Sequence, residues 1–342
     1  MADQNSTASS ESVLAPVAGE VVPPGEADAI RIIVNKIEDT VRAAAKKTGS
    51  AHRDAHAKAD GCVKAEFRVL DNLPPALRLG IFAAPRTYQS WIRFSNGAGT
   101  PQADYLPDGR GMAIKLMNVA ESPSTTQDFL MINHPAFFVR NAADYVDLQT
   151  AGPVRFFFPS FNPFRFRLHE LMVALGLAFQ KVRNPLNIRY WSMTPCRFGD
   201  GACKFSARPT GTLSPFTSVD SPDFLHANLA AQLSRADVSF DFMVQLRSDP
   251  ASMPIEDPTI AWDEAAAPFL PLARITIPPQ SFDTTDQQAF CENLSFTPWH
   301  CVDAHRPLGG INRVRRIVYE HISSLRHALN NAPRREPTDF KL

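Results

Sequence analysis

The sequence has no surplus of either charge: Lys+Arg and Asp+Glu each count 35, for a formal net charge of zero. A polyanion partner is therefore not implied, and nucleic-acid binding is not expected. Long apolar runs are missing, since none approaches the roughly 18 residues of a membrane span. The N-terminus has no basic segment followed by an apolar one, so a soluble, unexported, cytoplasmic protein is expected. Cysteine is sparse and unpaired in pattern. Cys62, Cys196, Cys203, Cys291 and Cys301 are odd in number and form no C-x-x-C, which speaks against a disulfide framework or a zinc site. There is no internal repeat and no clear linker, so a single domain is expected over residues 26–335.

Phenylalanine and proline are abundant: 24 Phe and 29 Pro suit aromatic-rich strands with proline-broken connections better than a helical bundle. Residues 1–25 are Ser, Ala, Glu, Pro and Val without period, the composition of a disordered tail. Ile30, Ile33, Val34, Ile37 and Val41 then repeat at helical spacing, predicting a helix over 26–48 stopped by Gly49. Residues 50–280 read as sheet with inserted helices. Val63, Ala65, Phe67 and Val69 alternate, and so do Ile92 and Phe94 against Trp91, Arg93 and Ser95, which leaves one sheet face polar. Two more strands follow, the second ended by Asn133-His134-Pro135. Helical patterns at 164–182 and 223–236 interrupt strands around Cys203–Ala207, Val238–Leu246 and Ala273–Ile277. The segment 283–310 reads as irregular, and a helix closes the chain over 310–330. Four consecutive strands predict an antiparallel barrel or an open sheet, in an α+β fold.

Within that last helix, Arg315, Tyr319, Ile322 and Arg326 fall at steps of four, three and four residues and share one face. Two readings are open. The arginine stems could pack and hold their heads in water. Alternatively, Tyr319 is a haem-iron ligand: a phenol titrates near pH 10, so a tyrosinate needs a nearby cation, which Arg315 is placed to provide, while Arg326 could pair with a haem propionate.

Five blocks in order, R-D-A-H-A-K, W-I-R-F-S, D-G-R-G-M-A-I-K, D-F-L-M-I-N-H-P-A-F-F-V and R-R-I-V-Y, resemble the successive blocks of haem catalases, and the chain is similar to their small catalase-related, peroxidase-like branch. The resemblance implies a catalase-like antiparallel β-barrel core with flanking helices and a C-terminal haem-ligating helix. It implies haem b as cofactor, with Tyr319 as axial iron ligand, Arg315 keeping it ionised, and Arg53, Arg93 and Arg326 as propionate partners. His56 would be the distal acid–base and Ser95 the hydroxyl that orients it. The family's usual distal asparagine falls at Ile132, with Asn133 beside it as the remaining polar candidate. Isoleucine donates no hydrogen bond. The resemblance thus implies a catalase-like peroxidase with weak catalase action on hydrogen peroxide or organic hydroperoxides. Left open are a fatty-acid hydroperoxide rearrangement of the allene oxide synthase kind, a haem-binding relative without turnover, and homo-oligomerisation.

Overall fold

The computed structural model describes residues 19–211, 221–334 and 336–341. Its centre is an antiparallel ring of eight strands: β1 (Ala59–Val69), β2 (Thr87–Asn96), β3 (Arg110–Leu116), β4 (Gln127–Ile132), β5 (Tyr190–Trp191), β7 (Gly201–Pro209), β8 (Val238–Leu246) and β9 (Leu270–Ile277). β6 (Cys196–Phe198) hairpins onto β7 outside the ring. Closure depends on the two residues of β5. Trp191 faces Ile132 of β4 on one side and Ser206 of β7 on the other, so a barrel forms where strand patterns alone also allowed an open sheet.

Phenylalanines fill the barrel. Phe129 meets Phe242 with ring centroids 4.6 Å apart and Phe205 at 5.1 Å, while Phe67 meets Phe242 edge-on at 5.0 Å. Such tilted contacts suit aromatic quadrupoles. The alternation in β2 sends Ile92 and Phe94 into this core and turns Arg93 and Ser95 outward. That outer face is polar as predicted, yet it is not a solvent face: Arg93 and Ser95 are each 3% exposed. Helices cover it.

The cover is α6 (Gly310–Leu329), whose Val314, Val318 and Ile322 pack against Ile33, Val34, Ile37 and Val41 of α1 (Glu26–Thr48). Each buried aliphatic side chain contributes about 1.5–3 kcal/mol, so α1 clamps α6 from behind. The start of α6 is fixed by acids, because the Gly309 N–H donates to Glu20 and the Gly310 N–H to Glu256 while Arg313 joins Glu20, Glu26 and Glu256. Carboxylates suit a helix N-terminus. The expected tail therefore stops short of residue 25: residues 19–25 reach this cluster, and 1–18 lie outside the described residues.

Two helices escaped the sequence pattern. α2 (Ala142–Phe157) is broken in register by Gly152 at φ 76° followed by Pro153, which hides its periodicity. α5 (Thr285–Asn293), capped by Thr284 accepting from the Gln287 N–H, buries only Gln287 and Cys291 and so shows no apolar stripe inside the segment expected to be irregular. The predicted helix at 164–182 narrows to α3 (Leu168–Ala178), and that at 223–236 to α4 (Phe224–Leu233).

Candidate active site

A cavity of about 480 Å³ lies between the outer face of β2–β4 and the inner face of α6, within the usual size of a ligand site. His56, Ser95, Arg53, Arg93, Ile132, Arg315, Tyr319 and Arg326 all line it. Residues separated by up to 273 positions in the chain, from Arg53 to Arg326, thus share one chamber.

His56 precedes β1 in a left-handed backbone conformation, φ 58°, with its N–H held by the Gly97 carbonyl at 3.0 Å. Such strain in a non-glycine residue is kept only where surrounding contacts enforce it. Its Nδ1 lies 3.1 Å from Ser95 Oγ. Burial, then the positive charges of Arg93 and Arg315, push the imidazole down to about 4, so it is neutral at physiological pH. Gly111 of β3 makes this placement sterically feasible: a Cβ there would stand 2.7 Å from His56 Cε1 and 2.9 Å from Ser95 Oγ.

On α6, Arg315 Nη2 donates to Tyr319 Oη at 3.4 Å, and its Nη1 donates to Thr194 Oγ1 and Asn312 Oδ1. The guanidinium is held on both edges, which fixes it beside the phenol. At the far rim, Arg53 pairs with Glu292 at 2.9 Å and donates to the Cys291 and Leu294 carbonyls, while Arg326 donates to the Glu292 and Leu294 carbonyls. Arg93 differs from both. Its Nη2 reaches the Ala57 carbonyl only at 3.4 Å, and its Nε is buried without a partner. Crowding of cations here is costly, as burial and then Arg93 lower Arg53 to about 9.

These residues fit a haem. A phenol oxygen beside a guanidinium is a suitable iron ligand, an unfilled buried donor on Arg93 calls for an acceptor such as a carboxylate, and Val314, Val318 and Ile322 offer an apolar wall. Arg53 and Arg326 already grip Glu292, so a propionate would share them with an internal carboxylate.

Asn133, the polar candidate beside Ile132, does not belong to the cavity. Strand alternation turns it to the other side of β4, where its Oδ1 accepts from the Arg110 N–H at 2.8 Å and its Nδ2 donates to Gln180 Oε1 at 3.1 Å. Its role in the described structure is to lock the end of β4 to β3 and to the segment after α3. Asn133→Ala should thus lower stability by about 1–3 kcal/mol through unpaired buried groups, read by denaturant unfolding, without changing the chemistry of the cavity.

No family model matches the chain. A catalase-related peroxidase from Mycolicibacterium paratuberculosis (strain ATCC BAA-968 / K-10) is 27% identical over 274 residues, covering 73% of this chain and 82% of that protein. A fungal catalase solved at 1.9 Å and catalase A from Saccharomyces cerevisiae share only 15% identity with it, yet match over 84% and 85% of this chain with TM-scores of 0.62 and 0.63. The fold is the catalase fold. The fold that the five sequence blocks implied is therefore the fold observed. This chain spans 60% and 63% of the length of those two catalases.

Sequence reasoning missed several residues of this cavity. Asp54, inside the R-D-A-H block, lines the cavity and is raised by burial to about 6. Tyr145 lines it from α2, its phenol pushed up by burial and then by Asp54. Glu292 sits on α5, a helix with no pattern to announce it. Gly111 is the second glycine of D-G-R-G, and only the imidazole packed over it shows why a side chain is excluded there.

Proposed function

We propose that the cavity binds haem b and that the protein is a peroxide-consuming oxidoreductase, a catalase-like peroxidase with weak catalase action. The observation that carries this is the meeting of two pairs in one buried chamber, His56 with Ser95 and Tyr319 with Arg315. Bound haem would supply the iron at which a peroxide O–O bond is broken. Tyr319 would hold that iron through its phenol oxygen, and Arg315 would favour the charged form of the ligand. Arg93, Arg53 and Arg326 would pair with the propionates. His56, neutral above about pH 4, is poised to take the proton of a bound hydroperoxide and return it to the departing oxygen, with Ser95 fixing the ring's orientation.

The substrate would be hydrogen peroxide or an organic hydroperoxide. Ile132, Phe137, Phe138 and Leu177 give the cavity an apolar lining, with Ile132 and Leu177 meeting over Gly109, which favours an apolar substrate and supports the second reading, rearrangement of a fatty-acid hydroperoxide. The test compares oxygen evolution, peroxide-dependent dye oxidation and loss of a fatty-acid hydroperoxide in the haem-loaded protein. Dye oxidation or lipid hydroperoxide loss should exceed oxygen evolution; haem uptake without any of the three would identify a binding protein without turnover. Ile132→Asn should raise oxygen evolution by up to about tenfold, since a hydrogen bond is worth about 0.5–1.5 kcal/mol if it is made in the transition state. Oxygen evolution already at the rate of full-length catalases in the unmodified protein would overturn this account of Ile132.

A further inference from the structure

Among the described residues, nothing covers the face of α3 turned away from the cavity, and that face is apolar. Leu168 is 56% exposed, Met172 65% and Phe179 64%, and the loop leading into the helix adds Phe161 at 69% and Phe164 at 97%. Single exposed apolar residues are ordinary, but a contiguous group marks a contact surface. Its charges are one-sided. Arg155, Arg165, Lys181 and Arg183 are exposed around it and form no ion pair among the described residues. The sole acid between residues 153 and 183, Glu170, is buried and held by Arg140 at 2.7 Å, while Arg167 is matched by Asp144 and Asp147.

We infer that this face seats the protein on an anionic lipid surface. Aromatic and aliphatic side chains ringed by unpaired cations match the chemistry of a bilayer interface, where the apolar groups enter the headgroup boundary and the cations meet lipid phosphates. α3 is 11 residues long, and no described helix is long and apolar enough to cross a membrane, so the contact is superficial. A second copy of the chain fits this face poorly, because a two-fold contact brings each patch against itself and would set the same four cations together, with no free carboxylate from the described residues 153–183 between them. The opposite face of α3 walls the cavity through Ala174, Leu177 and Ala178. Docking would therefore hold that wall of the chamber at the membrane, whatever the chamber binds.

The test is co-sedimentation of the full chain with vesicles of phosphatidylcholine alone and of phosphatidylcholine mixed with phosphatidylglycerol. Binding should appear on the anionic vesicles. Arg165→Gln and Lys181→Gln should each lower partitioning by about fivefold, and Phe161→Ser with Phe164→Ser by about tenfold or more; all four positions are exposed, so the fold is retained. Binding to neither vesicle type, equal binding to both, or an unaltered affinity in the double phenylalanine variant overturns the inference. So does self-association without lipid that the same double substitution abolishes. None of these readouts depends on haem or on peroxide chemistry.

Discussion

Tyr319→Phe should abolish tyrosinate ligation and with it most haem retention, read as loss of the Soret and charge-transfer bands on titration with haem. The phenyl ring keeps its packing on α6, so far-ultraviolet circular dichroism should not change and a folding defect is separable from a ligand defect. Arg315→Leu removes the donor 3.4 Å from Tyr319 Oη and leaves the phenol in place. A supporting group of this kind is worth about 10–100-fold in metal affinity, and loss of the ligand itself should exceed that. An unchanged spectrum in Tyr319→Phe would show that another group holds the iron.

His56→Ala should retain haem and lose about 10²–10⁴-fold in the rate of reaction with peroxide, the usual cost of removing a positioned acid–base group. Rapid-mixing spectroscopy of the haem-loaded protein gives the rate, and near-normal reaction would exclude the role. The pH dependence has a defined sign. Burial, then Arg93 and Arg315, depress the imidazole to about 4, so its proton-accepting form persists as pH falls through the ordinary histidine range near 6.5. The rate in the unmodified protein should hold down to about pH 4 and fall below it. Stability behaves consistently: the unfolded chain binds this proton more readily than the folded one, so the stabilisation is complete above about pH 6.5 and is lost as pH drops toward 4. His305, buried among Phe82, Phe198 and Phe205 and also lowered to about 4 by burial, adds to the same acid loss.

Part of the cavity's arrangement was legible along the chain, where it depends on neighbours within one element. An arginine one helical turn before Tyr319 is readable from a 3.6-residue period, and Arg93 and Ser95 are assigned to one face of β2 by a period of two. The same rule separates Ile132 from Asn133, though spacing alone did not say which of them faced the cavity. That required knowing which side of β4 is the barrel interior, which is settled by Phe129 and Met131 joining the phenylalanine core.

The sequence by itself determined the strand periods, the periods of α1, α3, α4 and α6 and the order of the five blocks, since each is written in neighbouring residues; the roles of His56, Ser95 and Tyr319 came from the resemblance those blocks carry. Tertiary structure decided the rest. Barrel closure through Tyr190 and Trp191 and the clasp of Arg53 on Glu292 are pairings between distant segments. So is the burial of a polar strand face under α6. The energy of each depends on a partner far along the chain, and local periodicity carries no information about that partner.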